Sequence, residues 1–434
     1  LGPAEAPGAS RASRLFPGTT LVHADMHNHS LFSDGDGDPA AAFGSMRGAG
    51  LDVAALTDHS TVSYGLSESP CGGNGGCQGL AGINEASWEA ARGLADALNA
   101  DGSFVGIRGF EWSSPTLGHI NVWLSERWTD PLHTAGTSTG EGLAQFAHDG
   151  GADQLGDELH QLDALVRQAP TTGAGMALFY QWLASDPARP GLGGGLDGIA
   201  GFNHPGREPG RYSSFRFEPA VVDRLVSLEI FNRSEDYLFE GTDSGYPSPL
   251  VDCLNAGWRV GLLGVTDEHG TSWGTPLGKG RGGLWVTDLS RAGVKQAMLD
   301  RRFFATRERG LRLDAAAAGV RMGRPLSHAS GAVRFEVDLD QGPPSWGRPV
   351  AVQVLRPDAV LPQVVANVEA EIPVSEGEHR QPVISFEVPI DRADGGWVTL
   401  RVTDPKGEPD GRANPEWRSY GRALAYTSPW YLQA

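Results

Sequence analysis

The sequence predicts an α/β enzyme core followed by an antiparallel β-rich module, and three observations carry that prediction. Seven short apolar runs between residue 19 and about 290 alternate with helix-like segments. Run after run carries a polar residue of metal-ligand type at or near its end. From residue 332 onward the pattern changes to short alternating strands separated by Gly, Pro and Asp turns. A chain of 434 residues has room for a barrel-like core plus an appended unit. Its 40% apolar content, with 60 glycines and 29 prolines, describes a folded, loop-rich protein rather than a disordered one.

Taken in order, residues 1–18 are rich in Gly, Pro, Ala and Ser and read as a flexible arm. The core spans 19–310. Its runs are "LVHADMHNH", "LDVAALTDH", "FVGIRGFEW", "HINVWL", "GIAGFNHPG", "LVSLEIFNR" and "RVGLLGVTDEH". Several are apolar throughout, as strands buried on both faces should be. Helices are expected at 39–47, which opens on Pro and is followed by Gly48, and at 85–100. Alternation of this kind implies a parallel arrangement, and we expect a barrel with the chemistry at the carboxyl ends of its strands. Residues from about 125 to 197 fit no strand–helix unit and read as a lid-like insertion, whose His133, His148 and His160 are taken as surface residues. Residues 311–434 read as an antiparallel β-sandwich.

The formal charge of −18 and the absence of a Lys/Arg stripe exclude nucleic acid as a main partner. No run of eighteen apolar residues is present, so no membrane span is expected. The start "LGPAEAPGAS" fits an exported chain whose leader is gone, or a trimmed one. Cys71 and Cys77 flank "GGNGG", a loop short enough to close into a disulfide in an oxidising compartment. A periplasmic or secreted location is therefore expected, with a cytoplasmic one open. Cys253, in a helix-like stretch, reads as a small buried apolar residue.

The candidate ligands are His27, His29, Asp34, His59, Glu111, His119, His204, Asp267 and His269. In extended chain, residues i and i+2 face the same side, so His27 with His29 and Asp267 with His269 each aim two donors at one point. Each motif alone is weak, since an isolated H-x-H or D-x-H is commonly incidental. Their joint placement at strand ends is hard to explain by packing, because buried polar groups without partners are costly. Nitrogen and oxygen donors without cysteine suit borderline divalent ions, and nine exceed what one ion takes, so two or three divalent metal ions (Mn, Zn or Fe) are expected.

The "DMHNHSLFSDG" opening, "ALTDH", the Glu after the third strand, "NHPGR" and the closing D-x-H together resemble the polymerase and histidinol phosphatase (PHP) superfamily. The layout is most similar to the branch that includes carbaryl hydrolases, and "LAYTSPWYL" is similar to that branch's terminal module. The resemblance implies a distorted seven-stranded β/α barrel over roughly residues 20–310. It also implies one ion on His27, His29, Glu111 and Asp267, a second on Glu111, His119 and His204, and a third on Asp34, His59 and His269. Asp34 stands where other members carry His.

Such a centre lets a metal-bridging hydroxide attack a phosphorus or carbonyl centre without a Ser or Cys nucleophile, and the G-x-S-x-G elbow is absent. Asp58, beside His59, reads either as a proton acceptor or orienting partner, or as a loop cap. Arg207, just after "NHPG", suits a clamp on phosphate oxygens, with a plain surface role as the alternative. Trp112, Trp123, Trp273, Tyr180 and Trp182 read either as the wall of an aryl pocket or as core. The preferred function is a metal-dependent phosphoesterase acting on a small-molecule ester. A carboxylic or carbamic (aryl) ester hydrolase and a non-catalytic metal-stabilised binding protein are the alternatives.

Overall fold

The computed structural model describes residues 9–60, 82–114, 117–131, 174–190, 193–208, 210–274, 278–374 and 383–433. Cys71, Cys77, His133, His148 and His160 lie outside them. The fold is mixed α/β with a large sheet, and the chain divides into two compact units. One comprises Leu1–Asp25, Ser227–Thr266 and Pro276–Ala434, the other Met26–Val226 and Asp267–Thr275. Among the described residues no helix is long and apolar enough to cross a membrane.

Each of the seven apolar runs contains a strand: β1 (Thr20–Asp25), β2 (Val53–Leu56), β3 (Val105–Ser114), β4 (Gly118–Trp123), β5 (Ile199–Phe202), β6 (Leu225–Asn232) and, seventh, Gly261–Val265. The expected helices are α1 (Pro39–Gly48) and α2 (Glu85–Leu98). Asp38 caps α1 through the amide of Ala40, with Pro39 at its first turn, and Asn84 and Ser87 close a reciprocal capping box on α2.

In the second unit β2 and β3 pair in parallel, whereas β3 with β4 and β4 with β5 are antiparallel. The parallel expectation thus fails at β4, because only three residues separate β3 from β4 and a parallel return needs a long crossover. Behind this sheet, Phe43 and Met46 of α1, Ala95 of α2, Leu56 of β2 and Trp273 share an apolar core.

In the first unit β1 pairs with Arg281–Val286, which pairs with Phe303–Thr306, which pairs with Arg422–Thr427. The same sheet continues through Trp397–Asp404 and Pro349–Arg356 to Gln363–Glu371, the last a strand that the sequence reading missed. Residues on both sides of position 310 belong to this unit. A separate four-stranded sheet, of Val320–Arg321, Arg312–Ala317, Ser330–Asp340 and Ile384–Asp391, shares a core with it in which Leu313, Phe335 and Val337 meet Val352, Leu400 and Val402. Cys253 is buried in the helix Pro249–Asn255, as expected.

Candidate metal centre

All nine candidate ligands belong to the second unit, and the backbone brings them together in a few steps. Beyond β1 the chain stays extended, and Asn28 forms a parallel bridge with Glu268. His29 N donates to Glu268 O (2.9 Å) and Asp267 N to His27 O (3.0 Å). This lays the H-x-H and D-x-H segments side by side. Beyond β2, His59 bridges Glu111 in the same parallel sense. In the β3–β4 hairpin Ser113 lies opposite His119, so register delivers a second imidazole beside the Glu111 carboxylate. His204 and Asp267 sit at the turns after their strands with φ of +24° and +48°, a strained geometry for non-glycine residues that concentrates at functional sites.

The donors separate into overlapping groups. His27 Nε2 and His29 Nε2 stand 3.0 Å apart; Asp267 Oδ1 lies 3.4 and 3.3 Å from them, and Glu111 Oε1 lies 3.2 Å from His27 Nε2. Asp34 Oδ1 lies 3.4 Å from both His59 Nε2 and His269 Nε2, and 3.8 Å from His29 Nδ1. Glu111 Oε1 also faces His119 Nδ1 at 3.2 Å and His204 Nε2 at 3.3 Å. Among the described residues, four sets of three or more donors could each hold a metal ion: His29, Asp34, His59 and His269; His27, His29 and Glu111; His59, Glu111 and His119; and His119, His204 and Glu208.

These spacings test whether the residues fit metal ions. Ligands bound tetrahedrally at about 2.0–2.1 Å stand about 3.3 Å from one another, longer than a good hydrogen bond. Most of the separations cluster around that value. His29 Nδ1, Asp34 Oδ1, His119 Nε2 and Glu208 Oε2 are buried atoms that make no hydrogen bond, an arrangement costly for the apoprotein and natural for ligands. The donor set fits.

Electrostatics follow from crowding. Burial opposes ionisation of Glu111, yet His119, His59 and His27 hold its carboxyl well below the usual range. Asp34 is likewise held low, against burial, by His59 and His269. Burial works against charge on His59, but Asp34 and Glu111 drive it well above its ordinary value. His29 is pushed down by burial and then by His269 and His59. The centre opens on one side, where the side chains of Arg207, His269 and Asp34 are 33%, 23% and 11% exposed while those of His27, His29 and Glu111 are fully buried.

Asp58 accepts from Ser30 N (2.7 Å), Ser30 Oγ and Ser33 Oγ (2.8 Å), so its carboxylate is taken up in holding the loop that carries Asp34. These are the contacts that the loop-cap role read from sequence requires. Arg207 Nη1 lies 3.7 Å from Asp267 Oδ2. Trp112, Trp123, Trp273, Tyr180 and Trp182 are all buried; Trp112 packs on Phe179 and Trp182 on Phe110, which is the core alternative.

Sequence reasoning missed three residues here. Asn203 Nδ2 donates to Glu111 Oε1 (2.7 Å), while its Oδ1 accepts from Asn121 N. Ser113 Oγ meets His59 Nδ1 at 2.6 Å. Glu208 faces His119 and His204. Only Glu208 left a signal, its i+4 spacing from His204.

No family model matches the chain, and no curated protein does. Several solved structures are similar to it, among them the following three. A two-domain Bacteroides vulgatus protein containing an inferred PHP-like metal-dependent phosphoesterase is 14% identical, with 99% of this chain and 100% of that one covered and a TM-score of 0.42. An inferred metal-dependent phosphoesterase from Bifidobacterium adolescentis is 15% identical, over 57% and 88%, with a TM-score of 0.29. An amidohydrolase from Chromobacterium violaceum, solved with sulfate and no metal, is 17% identical, over 57% and 87%, with a TM-score of 0.25. Likeness at this level carries no argument about activity, which has to come from the side chains themselves.

Proposed function

We propose that this chain is a metal-dependent hydrolase of the PHP type that cleaves a small-molecule ester, with phosphoesters preferred. The observation that carries the reading is the meeting of His27, His29, Glu111 and Asp267 at ligand-to-ligand spacing around one point. We take His119, His204, Asp34, His59 and His269 to extend the centre to two or three divalent ions. We also read the β2–β5 region as part of a distorted barrel and residues 311–434 as a β-sandwich.

Divalent ions held by these residues would acidify water near neutral pH and polarise a substrate oxygen. The protein's own residues do the rest. Asn203, by donating to Glu111, fixes the orientation of the carboxylate shared by most of the histidines. Asp58 holds the loop that presents Asp34. Arg207, partly exposed beside Asp267, offers a planar pair of donors to a phosphoryl group arriving from the open side.

Burial of the five aromatics removes the main support for an aryl pocket, and the one-sided opening of the donor cluster favours turnover over a closed structural site. The test is hydrolysis of p-nitrophenyl phosphate against p-nitrophenyl acetate, with and without added Mn²⁺ or Zn²⁺, alongside elemental analysis. Metal-dependent turnover of the phosphate ester in preference to the acetate is expected. Preference for the acetate would shift the reading to a carboxyl-ester hydrolase, and no turnover of either across a broad ester panel would leave a binding protein.

A further inference from the structure

We infer that Glu208 is itself a metal ligand, completing with His119 and His204 a cation position on the side of those imidazoles away from Glu111. The inference rests on the metal-dependent reading above and adds to it a residue and a location.

Glu208 follows His204 by four residues, across a turn in which Gly206 adopts φ +96° and Arg207 N donates to His204 O. That turn folds the Glu208 carboxylate back over the two histidines. Each imidazole consequently stands between two carboxylates. His119 presents Nδ1 to Glu111 Oε1 at 3.2 Å and Nε2 to Glu208 Oε1 at 3.6 Å. His204 presents Nε2 to Glu111 Oε1 at 3.3 Å and Nδ1 to Glu208 Oε2 at 3.7 Å.

The two contacts to Glu208 are too long for hydrogen bonds and close to the edge of a metal coordination polyhedron. All three residues are buried, and their donor atoms lie within 4.8 Å of one another. Glu208 Oε2 and His119 Nε2 make no hydrogen bond within the protein. Leaving a carboxylate in that condition is costly, and a cation between these atoms would relieve it. A neutral imidazole has a single lone pair to give. An ion on the Glu208 side therefore draws His119 and His204 away from Glu111 and leaves that carboxylate to His27, His29 and His59. The rival is an orienting role, in which Glu208 only accepts the outer N–H of each ring; this predicts contacts near 2.9 Å, shorter than those observed.

The experiment uses the full chain, stripped of metal and reloaded with Mn²⁺ or Zn²⁺, with stoichiometry read by elemental analysis and affinities by titration calorimetry. Glu208→Gln retains an acceptor for an imidazole N–H but is a poor ligand. The expected result is loss of one equivalent, or a fall in affinity for one equivalent beyond the roughly 100-fold that an orienting partner commands, with the remaining equivalents unchanged. Wild-type stoichiometry with a smaller fall in the Gln variant overturns the assignment while leaving the metal reading intact. A wild-type chain that takes up no stoichiometric cation overturns both. If the Gln variant does not fold, Glu208→Asp serves instead: weakening of one equivalent alone supports the position, and unchanged binding overturns it.

Discussion

Asp34 and His269 meet at 3.4 Å, Oδ1 to Nε2, at the open side of the donor cluster, although 235 positions separate them in the chain. Neither residue could hold an ion alone. Their meeting depends on two loops, one closed by Asp58 on Ser30 and Ser33 and the other aligned by the Asn28–Glu268 bridge.

Removing the cations should therefore loosen the fold as well as abolish activity. Incubation with a chelator is expected to lower the melting temperature, and restoring Mn²⁺ or Zn²⁺ to about 100 times its dissociation constant should return about 2.7 kcal/mol per site. Differential scanning calorimetry checks this; identical melting curves with and without chelator would contradict it.

Arg207→Ala should reduce phosphoester hydrolysis by about 10–150-fold, since a lost charge-assisted contact is worth about 1.5–3 kcal/mol, and should leave carboxyl-ester hydrolysis nearly unchanged. Arg207→Lys should recover only part of the loss, because an ammonium cannot make the planar two-point contact. Equal losses on both ester classes would remove the reason for preferring phosphate.

Gly37→Ala should destabilise the chain by about 1–3 kcal/mol. A Cβ at this position would lie 2.0 Å from the Trp273 ring, and Trp273 is pinned by its indole N–H on His29 O at 3.1 Å. Displacing the ring shifts the loop that carries Asp34, so weaker binding of one cation should accompany the lower unfolding free energy in a denaturant titration.

Asp58→Ala removes the acceptor for Ser30 N, Ser30 Oγ and Ser33 Oγ in a buried setting. The expected cost is about 3 kcal/mol of stability, with activity falling because Asp34 loses its support. Asp58→Asn, which still accepts, should be milder in both respects. A proton-transfer role for Asp58 would instead show as an Asn variant with native stability, full metal content and a collapsed kcat.

Acid stability should respond to His23. Its imidazole is pushed down to about 3 by burial first and then by Arg281, Arg11 and Arg309. Because the folded value lies below the ordinary 6.5, the contribution to stability is complete above pH 6.5 and is lost as pH falls toward 3, by up to about 4–5 kcal/mol. His23→Asn should flatten the decline of unfolding free energy across that window, as measured by urea denaturation at stepped pH.

The sequence by itself determined the local facts. The apolar runs contain strands because continuous Val, Leu, Ile and Ala stretches must be buried on both faces. Helix α2 starts at Glu85 because Asn84 and Ser87 satisfy its first amides, and the H-x-H and D-x-H spacings send paired donors to one side. Tertiary structure decided who meets whom. That β4 returns antiparallel and so sets His119 against Glu111, that Asp58 turns to a loop, that five large aromatics go to the core, and that Asn203 and Glu208 join the cluster all depend on register and packing between segments far apart in the chain. Local propensity cannot encode such contacts, because the energy of a buried polar atom is fixed by neighbours that its own stretch of sequence does not contain.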